Sequence, residues 1–305
     1  MRYLILGSTG FIGSALKNRL QKEGKDIVCT SRSLGLDLLD YEKLENFVKV
    51  SKPDVIYNLA THAGSVHYYK NNASKVYSDN VQMALNVYKS VSSVSKDIKV
   101  IQPFSNCSYP GDVTIQKEEE WLNGPVHDSV SAFGNSKRAT YYLSKAFNQQ
   151  HQIRSINLMF PNAFGPGDTT DLQKTHALNG MIIRMIQSKN SQEKQFVVWG
   201  TGSPIREWIY IDDFVTALVE SVKLDCLIEP VNVGQHAGYS IRQSAEAIKQ
   251  CTGFEGDIVF DTTYQDGAPI KIMEGKKFQS LFPNFSWHNH HLGINKTVRY
   301  YQEIL

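Results

Sequence analysis

The stretch "LILGSTGFIGSAL", residues 4 to 16, decides the fold. Gly7, Gly10 and Gly13 follow an apolar run that starts at Arg2 and precede a segment with helical spacing. That order predicts a strand, a tight turn and a helix whose free N–H groups and partial positive charge face an anion. The spacing is GxxGxxG, looser than GxGxxG, so the glycines alone suit a plain turn as well. Their place at the head of the chain, with further strands at regular intervals, selects a dinucleotide cradle. Gly7, Ser8, Thr9, Gly10, Phe11, Ile12 and Gly13 would form it.

Working outward, short apolar runs recur as "DIVCTS" (26 to 31), "DVIYNLA" (54 to 60), "KVIQPFS" (99 to 105) and "RSINLMF" (154 to 160). Helical patterns lie between them, near 12 to 23, 41 to 51, 73 to 95 and 132 to 149. Runs apolar throughout imply strands covered on both faces, hence an α/β, doubly wound parallel sheet of the Rossmann type. After "GPGDTTDLQKTH" (165 to 176) come helices near 177 to 189, 212 to 223 and 240 to 251, and strands near 195 to 200, 230 to 234 and 257 to 261. We expect a dinucleotide-binding domain over residues 1–165. Residues 166–305 would form a smaller, mainly substrate-binding region, partly interleaved with the sheet.

Thirty-two basic residues stand against 30 acidic ones, interspersed, which gives +2 and no nucleic-acid surface. No apolar run approaches the roughly 20 residues that span a bilayer, and no cleavage site follows Met1 and Arg2, so the expectation is a cytoplasmic protein without a membrane. Cys29, Cys107, Cys226 and Cys251 are too scattered for a metal site, and no metal is expected. At the end of the second strand, "CTSRS" offers Ser31 and Arg32 without a carboxylate, which favours NADP over NAD. Asp37 and Leu38 stand where an adenine edge is read, although Asp37 equally suits a cap on the next helix.

Further motifs follow: "NLAT" (58 to 61), "SNCSYP" (105 to 110), "FGNSK" (133 to 137), "MFPNAFGPGD" (159 to 168) and "REWIYIDD" (206 to 213). With the glycine turn, they make the chain resemble the extended short-chain dehydrogenase/reductase superfamily of sugar-nucleotide enzymes over nearly its whole length. Within it, the likeness is to NADPH-dependent 3,5-epimerase/4-reductases of a nucleotide-linked 4-keto-6-deoxysugar. The resemblance implies that Ser105 bonds the 4-keto oxygen, that Lys137 holds the nicotinamide ribose, and that Cys107 and His176 are the epimerisation acid/base pair. It places Leu59, Ala60, Pro161 and Asn162 beside the cofactor, with Asn162 reaching the sugar or fixing its own loop. Arg206 stands where the family places a cation for the nucleotide diphosphate, and Arg184 and Lys271 suit the same work, each equally a surface ion pair; Trp199 and Trp208 suit packing more than stacking on a base. It also implies a homodimer through the helices near 73 to 95 and 132 to 149.

The chemistry supports the pair independently. A ketone at C4 acidifies the protons on both neighbouring carbons, and a thiol and an imidazole titrate near neutrality, as proton exchange requires. The plain alternatives are a core thiol for Cys107 and a helix cap for His176. Three features depart from the family pattern. Phe133 stands where the family keeps a tyrosine; a phenyl ring fills that space but cannot donate, and a general acid contributes about 10^2 to 10^4 in rate. "LATHAGSVHYYKNN" (59 to 72) carries His62, His67, Tyr68, Tyr69 and Lys70, either a polar rim, a replacement acid or a site for another sugar. Ile270 precedes Lys271 where a second cation is usual, which leaves the base open. Phe133, native or introduced, therefore permits three outcomes: hydride transfer slowed until Phe133→Tyr restores it; protonation by another group, a water held by Ser105 or a loop histidine, or epimerisation alone; or binding of the nucleotide sugar and NADP without catalysis. Retention of Lys137, Cys107 and His176 together favours an enzyme.

Overall fold

β1 (Arg2–Leu6), α1 (Phe11–Lys22) and β2 (Asp26–Thr30) form the first crossover, with β2 parallel to β1 and Thr30 opposite Leu6. The chain passes through α2 (Tyr41–Ser51) and returns on the other side of β1 as β3 (Val55–Asn58), with Asn58 opposite Leu6. That reversal makes the gap between β1 and β3 a topological switch point, the place where ligands enter an open α/β sheet. α3 (Val66–Val94), β4 (Lys99–Ser105), α4 (Ser131–His151) and the strand Ser155–Phe160 extend the sheet outward. Its far edge is Leu227–Asn232, so six parallel strands draw on both halves of the sequence. This computed structural model describes residues 1–305, the side chains of Val66 and His67 excepted.

The doubly wound sheet follows from the apolar runs. Every residue of β3 and of Ser155–Phe160 is buried. Alternate side chains feed opposite layers: Ile5, Tyr57, Ile101 and Ile156 enter one core, and Leu4, Leu6, Ile56 and Val100 the other. α5 (Ala177–Asn190), α6 (Ile211–Ser221), α7 (Ile241–Thr252), α8 (Lys276–Leu281) and α9 (His290–Ile304) complete the molecule.

Several features correct the expectations, among them α8, a helix not foreseen in the sequence. α3 begins at Val66 rather than 73, because Ser65 caps it by accepting from the Tyr68 N–H, and the helix then kinks at Asn72 (φ −128°, ψ 23°). α9 was not foreseen. Its sequence is largely polar, yet it buries Ile294, Val298 and Tyr301. A small sheet, also unforeseen, pairs Ile205–Arg206 with Ile270–Met273 and sets Arg206 opposite Lys271. Among the described residues no helix is long and apolar enough to cross a membrane.

Candidate active site

The glycine turn is built for close approach. Gly7 has φ +84°, and a Cβ there would lie 2.8 Å from the Ala60 nitrogen; a Cβ at Gly13 would lie 2.1 Å from the Gly7 oxygen. α1 opens on Gly10 with no side-chain cap and no acidic residue in its first turn, so its N–H groups stay available to a pyrophosphate. Beside them, three hydroxyls form a triangle, Thr9–Ser31 at 3.0 Å, Thr9–Ser33 at 3.0 Å and Ser31–Ser33 at 2.9 Å, with Arg32 exposed next to it. Ser33 was not singled out from the sequence. Asp37 accepts from the Leu39 N–H at 3.0 Å, and α2 is capped by Asp40 instead. Leu38 turns its side chain into the core.

A cleft of about 740 Å³ opens at the switch point. The first crossover and β3 supply Ile12, Leu59 and Ala60; β4 and α4 supply Ser105, Cys107, Phe133 and Lys137. Pro161, Asn162, His176, Arg184 and Trp199 come from beyond residue 160. The thiol and the imidazole thus share one cavity, which meets the first crossover at Ile12 and borders the glycine turn through Ala60, whose nitrogen would lie 2.8 Å from a Cβ at Gly7. Gly134 allows this: a Cβ there would lie 2.5 Å from the Cys107 oxygen, so α4 can press against the turn after β4. Arg138 fixes that turn, donating to the carbonyls of Ser108, Trp121 and Gly124 at 2.7–2.8 Å.

Lys137 donates to the Thr61 hydroxyl at 3.1 Å and has no carboxylate partner among the described residues. Burial lowers its pKa from 10.5 to about 8. Its ammonium lies 5.1 Å from the centre of the Phe133 ring, and Phe133 stacks on Tyr69 at 5.3 Å and 11°. Ser105 caps the turn after β4, accepting from the Cys107 N–H at 3.3 Å.

His176 heads α5, and its Nδ1 faces Asp168 Oδ2 at 3.0 Å. The same carboxylate accepts from the Thr175 hydroxyl, the His176 N–H and the Asn179 amide. Burial would raise the Asp168 pKa, but the bonds and charge of His176, with Asn179, bring it down to about 2. An ionised Asp168 holds the His176 proton on Nδ1 and leaves Nε2 free to exchange protons. Asp168 was visible within "GPGD", but nothing in the sequence showed which way it points.

Arg206 and Lys271 do not line the cleft. Burial lowers the pKa of each, and a charge on Cys107 acts against that shift in both. The guanidinium of Arg184 sits 5.0 Å from the Phe196 ring and 5.9 Å from that of Trp199. Trp199 is 64% exposed and stacks on Tyr264 at 4.8 Å, so plain packing describes Trp208 but not Trp199. The Asn162 amide donates to the Glu207 carbonyl at 3.5 Å, tying its own loop. In the loop after β3, His62 bonds Asp79 at 2.8 Å and Tyr68 at 2.7 Å, while Lys70 is exposed. His67 lies outside the described side chains.

A glycine turn at a switch point, opening into a cleft that holds an ammonium, a thiol and an oriented imidazole, defines an α/β protein of the nucleotide-handling class. The chain belongs to the NAD dependent epimerase/dehydratase family, whose profile matches residues 3–234. GDP-L-fucose synthase 1 of Arabidopsis thaliana is 29% identical to it over 281 residues, covering 92% of this chain and 87% of its own. Among solved structures, a GDP-L-fucose synthetase from Naegleria fowleri bound to NADP superimposes with a TM-score of 0.90 at 27% identity, over 99% of this chain and 92% of its own. A GDP-6-OMe-4-keto-L-xylo-heptose reductase from C. jejuni gives 0.91 at 22% identity, over 100% and 98%, a likeness of fold alone.

Proposed function

We propose that the chain is an NADPH-dependent epimerase/reductase of a nucleotide-linked 4-keto-6-deoxysugar. The observation that carries this is the meeting of Ser105, Cys107, Lys137 and an Asp168-oriented His176 in the cleft that opens from the glycine turn. NADPH, when bound, supplies the hydride. The uncapped start of α1 suits its pyrophosphate, and the hydroxyl triangle with Arg32 suits a 2'-phosphate over a free ribose. Lys137 would hold the nicotinamide ribose, and Ser105 the keto oxygen. Cys107 and His176 would exchange protons at C3 and C5 from opposite faces. Arg184, on the cleft wall, offers charge to a diphosphate, Arg206 and Lys271 would add theirs from outside the lining residues, and the exposed Trp199–Tyr264 stack offers a face to the base.

In this proposal residues 1–165 chiefly hold the cofactor and residues 166–305 the sugar nucleotide. The protein would work in the cytoplasm as a homodimer through α3 and α4, which pack on one another and expose Tyr77 and Tyr142.

The test is incubation with NADPH and GDP-4-keto-6-deoxymannose in deuterated water. NADPH consumption, a product heavier by the added hydrogens, and deuterium at C3 and C5 that disappears in Cys107→Ser are expected. NADPH consumption without deuterium would reduce the chain to a ketoreductase. Neither event, with that sugar or with a panel of other nucleotide 4-ketosugars, would overturn the proposal.

A further inference from the structure

Hydride arriving at a carbonyl carbon leaves negative charge on oxygen, and some group in the cleft must neutralise it with a proton. Phe133 has none to give. The function proposed above commits Cys107 and His176 to C3 and C5 and Lys137 to the ribose; the loop after β3 brings the remaining ionisable groups, and its geometry narrows the choice among those described. Both ring nitrogens of His62 are engaged, one by Asp79 and one by Tyr68, and the Tyr68 hydroxyl is held in that same chain. None of His62, Tyr68 and Lys70 lines the cleft.

Tyr69 does, and it is the one tyrosine on the cleft wall among the described residues. Its ring lies nearly parallel to that of Phe133, with centroids 5.3 Å apart and planes at 11°. It is 8% exposed and fixed by Val76, Val126 and Val130. The hydroxyl accepts from the Gly64 N–H at 3.3 Å, and among the described residues it donates to none. Cys107 packs against the same cluster that holds Tyr69 and Phe133, and Ser105, at the head of the turn that carries Cys107, lines the same cleft. Burial raises the phenol's pKa, so it stays protonated at neutral pH. A phenol one ring away from the phenylalanine, on the same cleft wall, is what an acid displaced from position 133 would look like.

We propose that Tyr69 is the catalytic acid of the reduction and delivers its phenolic proton to the carbonyl oxygen as hydride arrives from NADPH. This rests on the function proposed above. The hydride's electron pair forms the new C–H bond, and the carbonyl π pair takes the Tyr69 proton as an O–H bond. NADPH is oxidised to NADP+, the ketone is reduced to the alcohol, and the phenolate recovers a proton from water. Lys137, whose ammonium lies 5.1 Å from the Phe133 ring, adds a positive charge beside the stacked pair.

The experiment is single-turnover NADPH oxidation with GDP-4-keto-6-deoxymannose by the full chain, Tyr69→Phe, and Tyr69→Phe combined with Phe133→Tyr. Tyr69→Phe keeps the ring stack and removes one oxygen. It should slow hydride transfer by about 10^2 to 10^4 while NADPH affinity and melting temperature hold. The double variant should recover the rate to within about tenfold of the parent, since the phenol returns on the neighbouring ring. A merely structural Tyr69 would give no such rescue. If Tyr69→Phe melts early, a fluorotyrosine at position 69, nearly isosteric and more acidic, must shift the pH–rate profile. A Tyr69→Phe rate equal to the parent's, no rescue, an unshifted profile, or a parent that binds both ligands yet transfers no hydride would each overturn the proposal. Failure of the parent to bind NADPH or the sugar nucleotide, read by a separate titration, overturns the function itself and this assignment with it.

Discussion

Asp168 shows how much one buried carboxylate can decide. It receives hydrogen bonds from Thr175, His176 and Asn179, and with its pKa near about 2 it remains ionised across the working range. Asp168→Asn keeps the shape but no longer holds the His176 proton on Nδ1. Deuterium exchange at C3 and C5 should then fall by about 10^2 to 10^4 with NADPH affinity unchanged, because a wrongly protonated imidazole cannot act from Nε2. Equal exchange rates in the two proteins would remove Asp168 from the chemistry. Lys137 makes a second claim at this scale. Its pKa of about 8 means that the ammonium discharges as pH rises through that value. NADPH affinity should therefore weaken from about pH 7 to about pH 9, and the dependence should flatten in Lys137→Met. Cys107, Lys137 and His176 were legible in the sequence because chemistry-bearing residues stood inside recognisable motifs. The orientation of Asp168 and the stack of Tyr69 on Phe133 were not, because both depend on residues brought together from different elements.

Among the elements, the turn from β1 into α1 leaves no room for a side chain at Gly13. A methyl group at Gly13 would meet the Gly7 oxygen at 2.1 Å and the Ser8 Cα at 2.9 Å, and these are backbone atoms that cannot swing aside as a side chain could. Gly13→Ala should lower unfolding stability by about 1–3 kcal/mol and weaken NADPH binding more than tenfold, read by denaturant titration and by cofactor fluorescence. A variant that binds NADPH like the parent would mean that the cofactor does not depend on this turn. The strands of the sheet were legible because covering both faces leaves an unbroken apolar run. The start of α3 was obscured by the polar "HYYKNN", where capping by Ser65 overrides a weak periodicity. α9 hid for a related reason: its buried residues are few, and its packing partners lie far away in sequence.

At the scale of the whole molecule, α9 ties the last residues of the chain to the site. The Tyr301 hydroxyl donates to the Asp168 carbonyl at 3.1 Å, and His290 stacks on Tyr239 at 4.0 Å. The His290 Nε2 is buried without a partner among the described residues, and burial, with the charge of His291, lowers the His290 pKa from 6.5 to about 4. Between those values the unfolded chain takes up a proton that the folded one refuses. The stability from a neutral His290 is thus complete above the unfolded pKa and is lost as pH falls toward the folded one, on the order of 2 kcal/mol. His290→Phe keeps the stack and cannot titrate, so its urea midpoint should fall less than the parent's between about pH 7.5 and about pH 5. Identical pH dependence in both would show that this residue does not contribute. The sequence by itself determined the sheet, the glycine turn and most of the ionisable residues that the cleft brings together, because periodicity and side-chain chemistry are local properties. Only the tertiary structure decided that Arg206 pairs with Lys271, that Asp168 aims the imidazole, and that a phenol stands beside Phe133. Those facts are distances between elements remote in sequence, set by how the cores pack, and no local pattern encodes them.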